Sequence, residues 1–302
     1  MLEKVTGTQC RVLYHVGRFR RTSEIGSRLG PHSLFASLAL TLHPSIRSVV
    51  LAVVNNKGGV GKTTTSVNLG AALASPKRRV LLVDLDCQAS ASLWCGISRA
   101  DLKPSSASCL LNDYPVARAI RHTSTSNLDL ITGSNELGNA DLTLCDVTGR
   151  ELTLRHALQQ VRSRYEFVIL DCPPSFSLIG VNALVAADAF IVPVSPQFLA
   201  VEGLANMLSA AAQVRKRLAA RAKLLGILLT MVGRGKVCTE VCERLRSEHR
   251  DQVFRTEIVA SRALEEAPAS GQTIFQFRPH TLAAHAFHRL AGEILQRISG
   301  WK

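Results

Sequence analysis

The run Val54-Asn55-Asn56-Lys57-Gly58-Gly59-Val60-Gly61-Lys62-Thr63-Thr64-Thr65 holds residue types suited to gripping a polyphosphate. The glycines at 58, 59 and 61 let a backbone curl until consecutive N–H groups, those around Val60 included, point at one anion. The helix-like stretch at 66–74 follows at once and would add the positive end of its dipole. Lys62 can reach β- and γ-phosphates, and the Thr63 hydroxyl can ligate Mg²⁺. A standard Gly-x-x-x-x-Gly-Lys-Thr loop would need glycine at 56, where Asn56 stands. The loop is therefore a variant, with a second lysine, Lys57, at its start. Further along, Asp171 ends the apolar run 167–170. A lone charge there is expensive unless a cation or hydrogen bonds compensate it, and Mg²⁺, directly or through water, would do so.

These residues need a frame that brings them together. Apolar, β-branched runs at 49–54, 80–83, 128–131, 167–170, 190–194 and 224–229 read as strands. Longer amphipathic stretches, such as 152–161 and 201–218, lie between most of them and read as helices. That rhythm predicts an α/β fold: a single phosphate-loop domain over 48–302, with a mostly parallel central sheet flanked by helices on both faces. Ligands of such sheets bind at the carboxyl ends of the strands.

Charge is distributed unevenly. The chain of 302 residues carries 36 Lys+Arg against 23 Asp+Glu, a formal net charge of +13. Residues 48–202 hold thirteen of each sign, whereas residues 203–302 hold sixteen positive and eight negative. A basic C-terminal third points to a polyanionic partner, either nucleic acid or an anionic membrane surface. No apolar stretch approaches the ~20 residues of a membrane-spanning helix. The eight cysteines lie mostly inside apolar runs, without the dense spacing of a disulfide scaffold, which favours a reducing, intracellular compartment.

The segment Lys57-Gly58-Gly59-Val60-Gly61-Lys62-Thr63-Thr64 resembles the deviant phosphate loop of the ParA/MinD ATPases. The resemblance extends through Val83-Asp84-Leu85-Asp86-Cys87-Gln88, where the family usually reads Asp-x-Asp-Pro-Gln, and Leu170-Asp171-Cys172-Pro173-Pro174-Ser175, similar to its Walker B and switch segment. Pro193, Glu202-Gly203-Leu204, Thr230-Met231 and Leu264-Glu265-Glu266-Ala267-Pro268 follow the ParA/Soj partition branch in order. It implies ATP and Mg²⁺ as cofactors, a nucleotide site over Gly58 to Thr64, and Thr63, Asp84 and Asp171 around the metal. It also implies Lys57 crossing an ATP-dependent homodimer to the partner's nucleotide, and Asp86 positioning the attacking water. The function implied is slow, partner-stimulated ATP hydrolysis in chromosome or plasmid partition. The partners would be nonspecific DNA and a ParB-like centromere-binding protein, with a cytoplasmic, nucleoid-associated location and no membrane. Arg262 aligns with one DNA-binding arginine of the family, and Arg234 or Lys236 approximates another.

Three departures keep alternatives open. Ile258-Val259-Ala260-Ser261 replaces the family's Ile-Pro-Arg-Asn, losing a proline that helps bracket adenine. Cys87 stands for the usual proline, and Cys172 and Cys238-x-x-x-Cys242 raise an iron–sulfur carrier as a minor reading, although no Cys-x-x-Cys pair is present. Phe287, Leu290, Ala291, Ile294, Leu295 and Ile298 form one helical stripe. In a MinD-like positioning ATPase such a stripe would bind membrane; as a last core helix it would pack inward, which is the expectation here. A nucleotide-binding regulator without hydrolysis is a third class, against which Asp86 argues. Residues 1–47, with seven Lys/Arg and two Asp/Glu, read as a basic extension, either a disordered arm or a start assigned too far upstream.

Overall fold

The computed structural model describes residues 48–301, so the readings made for 1–47 lie outside the described residues. The apolar runs become strands because helices cover both faces of the sheet, and strands buried on both sides read as continuous hydrophobic sequence. The strands are β1 (Val49–Val53), β2 (Val80–Asp84), β3 (Ile120–His122), β4 (Leu128–Ile131), β5 (Phe167–Asp171), β6 (Ala189–Val194), β7 (Lys223–Val232) and β8 (Ile258–Val259). Their order across the sheet is β3-β4-β2-β5-β1-β6-β7-β8. All neighbours are parallel except β3 and β4, which are antiparallel. The six expected strands are present. The two additional ones, β3 and β8, are short edge strands whose few residues carry no period of their own.

Strand alternation splits the core into two layers. Val49, Leu51 and Val53 pack on one side with Leu69, Leu73 and Phe287, and Val50, Ala52 and Val54 pack on the other with Leu184, Leu204 and Met207. Gly70, inside the helix Lys62–Leu73, lets that helix sit close on the sheet, since a Cβ there would lie 3.2 Å from Leu128 Cδ1.

The C-terminal helix Leu282–Ser299 starts at Thr281, whose hydroxyl accepts the Ala284 N–H at 3.3 Å. Its stripe turns inward: Phe287, Leu290, Ala291 and Ile294 are buried against the phosphate-loop side of the sheet, with Leu295 and Ile298 partly buried at its margin. The core-packing expectation therefore holds for this stripe. Among the described residues no helix is long and apolar enough to cross a membrane.

Candidate functional site

β1 delivers the chain directly into the glycine-rich loop. Gly59 (φ +70°) and Gly61 (φ +81°) take the left-handed conformation that other residues avoid. Two tethers fix the loop: Asn55 Nδ2 donates to the Pro193 carbonyl at 2.7 Å, and Thr230 Oγ1 donates to the Val60 carbonyl at 2.9 Å. The N–H groups of Gly58, Gly59, Val60 and Gly61 donate to no acceptor among the described residues, so they remain available to an anion. The helix Lys62–Leu73 starts at this point, placing its N-terminal dipole behind them.

Lys62 is buried, and its Nζ donates to the Lys57 carbonyl at 2.9 Å, inside the loop. Burial pulls its ammonium below the usual lysine range, opposed chiefly by the charge of Asp171. Lys57 points outward and donates from Nζ to Gln197 Oε1 at 2.7 Å. Two lysines of one loop thus face different ways.

Asp171, at the end of β5, is fully buried and accepts from Thr63 Oγ1 and Ser66 Oγ, each at 2.8 Å. Thr63 and Ser66 are one helical turn apart and share a face, which is why both reach it. Asp84 is its register partner on β2. Burial, followed by the neighbouring Asp84, pushes the Asp171 carboxyl above the usual carboxylate range, and burial does the same to Asp84. Two buried acids side by side favour a bound cation, and the Thr63 hydroxyl with the Asp171 carboxylate is a hard oxygen pair of the kind Mg²⁺ accepts. Among the described residues no group of three or more His, Cys, Asp or Glu is placed to hold a metal. Mg²⁺ bound with a nucleotide takes several of its ligands from phosphates and water, so the site fits that use.

Asp84, expected near the metal, is fully buried beside Asp171 and is also hydrogen-bonded to the chain that follows it. Its Oδ1 accepts the Asp86 N–H at 3.1 Å, and its Oδ2 accepts both the N–H (2.8 Å) and the hydroxyl (2.7 Å) of Ser92. It holds the turn that carries Asp86. Asp86 lines the cleft itself; one carboxylate oxygen accepts the Gln88 N–H at 3.0 Å, and the other has no hydrogen-bond partner among the described residues.

The cleft over the loop measures about 620 Å³ and is bounded by Lys62, Thr63, Asp86, Trp94, Pro174 and Met231. A smaller pocket of about 160 Å³ shares Gly61, Thr64 and Met231 with it and runs under Ile258, Ala260 and Leu264. Met231 sits at φ +52°, where the β7–β8 register slips between Thr230 and Val232. The Thr65 hydroxyl, beside this pocket, is buried without a hydrogen-bond partner among the described residues.

Arg234, Lys236 and Arg262 are all exposed. They follow the ends of the paired strands β7 and β8, whose Val232 and Val259 are in register, so they share the carboxyl edge with the phosphate loop. Lys236 lies 3.8 Å from Glu240. Thr230-Met231 carries part of the family resemblance in the sequence, but the Thr230 tether to Val60 and the bulge at Met231 come from the structure, as do the contacts of Ser66 and Ser92. Of the two serines, only Ser66 has a local signal, its one-turn spacing from Thr63.

An AAA domain family matches residues 48–224. The sporulation initiation inhibitor protein Soj of Bacillus subtilis is 39% identical over 246 residues, covering 81% of this chain and 97% of Soj. The chromosome partitioning protein ParA of Caulobacter vibrioides is 36% identical, with 82% of this chain and 94% of that protein covered. The chain belongs to the ParA/Soj family. Among solved structures similar to this ParA/Soj-family chain is cobyrinic acid a,c-diamide synthase from Mycobacterium smegmatis with bound ADP and magnesium. It has a TM-score of 0.73 and 30% identity, covering 84% of this chain and 97% of that one. Septum site-determining protein MinD of Pyrococcus horikoshii, complexed with Mg-ADP, shares the fold at a TM-score of 0.66 and 24% identity, covering 84% and 98% of the two chains.

Proposed function

We propose that this ParA/Soj-family chain is an ATP-dependent, dimerising DNA-partition ATPase. The observation that carries the reading is the layout of one cleft. Free loop N–H groups and Lys62 converge on its floor, Thr63 and Asp171 meet beside them, and Asp86 faces in with an uncommitted oxygen.

In this reading the N–H groups of Gly58 to Gly61 and the Lys62 ammonium hold the β- and γ-phosphates of ATP. Thr63, with Asp171 behind it, would hold Mg²⁺, which would neutralise charge developing on the phosphates during transfer. Asp84 keeps the Asp86 turn in place. Asp86 accepts a hydrogen bond from a water and orients it toward the γ-phosphate. The adenine seats in the smaller pocket, where Met231 and Leu264 supply apolar faces in place of the missing Pro-Arg-Asn. Lys57, displayed at the surface, is placed for a nucleotide on a second copy of the chain.

The ATP-bound dimer binds DNA of any sequence through exposed cations such as Arg234, Lys236 and Arg262. Hydrolysis removes the γ-phosphate and with it the bonus that favours the dimer. A ParB-like partner accelerates that step. The test is light scattering together with plasmid retention, each with ATP, with ADP and without nucleotide. Dimerisation and retention confined to ATP support the reading. Retention that ignores the nucleotide would overturn it.

A further inference from the structure

A second concave site lies away from the nucleotide. It is a pocket of about 410 Å³ lined by Arg246, Arg250, Arg255 and Arg297 against Asp251 and Glu293. Two of these arginines are built into the fold. The Arg297 guanidinium lies 4.2 Å from the Phe254 ring centroid and donates to the carbonyls of Leu225 (2.8 Å) and Val253 (3.1 Å) and to Glu293 (3.0 Å). Arg246 pairs with Glu257 at 3.1 Å and donates to the Phe254 carbonyl. Glu293 is consumed as well, since it also accepts the N–H groups of Arg255 and Thr256.

The two remaining arginines are uncommitted. Arg250 and Arg255 are exposed, and their guanidiniums donate to no acceptor among the described residues. The pocket therefore presents two free guanidiniums over a braced floor, and its lining has more positive than negative groups. That is an anion site in search of phosphates rather than carboxylates of its own.

Its position selects the source of those phosphates. The helix Lys236–His249, of 14 residues, begins just after Arg234 at the carboxyl edge and ends at Arg250. At 1.5 Å per residue it spans about 20 Å. Cations thus stand at both ends of one helix: Arg234 and Lys236 at its start, Arg250 and Arg255 past its end. A spacing of that length suits a polymer of phosphates that can touch both groups. An exposed pair of guanidiniums also gains most from a polyanion, because each contact releases condensed counterions. We propose that Arg250 and Arg255 form a second contact for the phosphate backbone of duplex DNA. This rests on the DNA-binding reading above and extends its surface from the carboxyl edge to the far end of this helix.

The test uses the full chain with ATP, comparing wild type, Arg250→Glu/Arg255→Glu, Arg250→Lys/Arg255→Lys and Arg234→Glu/Arg262→Glu. DNA binding is measured across a salt series, with thermal midpoint as the folding control. The glutamate pair at 250 and 255 should lower the log–log salt slope by about two, roughly one per phosphate contact. The lysine pair should keep the slope, and ATP binding should not change in any variant. A wild-type slope in the 250/255 glutamate variant, while the 234/262 variant loses slope, overturns this proposal and leaves the DNA reading standing. Absence of DNA binding by wild type with ATP overturns both. Saturable thermal stabilisation by inorganic phosphate that depends on Arg250 and Arg255, without any DNA effect, assigns the pocket to a small anion and overturns the DNA source.

Discussion

Asp84 and Ser92 are joined twice: the Ser92 N–H and hydroxyl both donate to one carboxylate oxygen of Asp84, at 2.8 and 2.7 Å. The Ser92 hydroxyl also accepts the Gly133 N–H at 2.9 Å. All three residues are inside the protein, and Gly133 has no room for a side chain, since a Cβ there would lie 2.7 Å from the Asp86 carbonyl. The turn bearing Asp86 is therefore held from behind. Ser92→Ala leaves the Gly133 N–H and part of a buried carboxylate without partners, which should destabilise the fold by about 1–3 kcal/mol. Urea unfolding measures it. An unchanged midpoint would mean that the Asp84 brace contributes nothing to the turn.

Lys62→Ala removes the buried ammonium at the base of the loop. ATP binding should become undetectable by calorimetry, because neutral loop N–H groups alone are left to hold the β- and γ-phosphates. The replacement also relieves a buried charge, so the fold should keep its stability or gain slightly. Undiminished ATP affinity would show that the loop binds something else.

Asp86→Ala should separate binding from chemistry. Its second carboxylate oxygen accepts no hydrogen bond from the described residues, so the variant should bind ATP as wild type does. Turnover should fall by about 10²-fold or more once the water loses its orienting group. The ATP-loaded dimer should then accumulate on DNA. Hydrolysis at the parental rate, followed by phosphate release, would transfer the water-positioning role to another residue.

The phosphate loop and most of the sheet are legible in sequence for a physical reason. Glycines at 58, 59 and 61, with a lysine and threonine after them, are constrained by one local geometry. Strands buried on both faces leave unbroken apolar runs. What the sequence hides is held by distant partners. Ser92 reaches Asp84 across eight positions, and Thr230 meets Val60 across 170, so neither pairing has a local period. The edge strand β8 is two residues long, too short to alternate. The Met231 bulge depends on a register slip between strands that no single-strand pattern records.

The C-terminal helix separates the partition reading from the MinD-like one. Phe287 is fully buried, and its stripe faces the same layer as Leu69 and Leu73 of the phosphate-loop helix. A residue in that position is part of the core, so Phe287→Ala should cost about 3–5 kcal/mol of folding stability. Because the phosphate-loop helix lies in the same layer, ATP affinity should weaken along with the thermal midpoint. A membrane-inserting stripe behaves differently: its apolar face is exposed in the unbound protein, and truncating one ring removes liposome binding while stability barely changes. Thermal unfolding and co-sedimentation with anionic phosphatidylglycerol vesicles, both with ATP, therefore read opposite outcomes. A large fall in midpoint, with no vesicle binding by wild type, agrees with a helix committed to the core. ATP-dependent vesicle binding that Phe287→Ala abolishes at unchanged midpoint would reverse the assignment and make the membrane the polyanion.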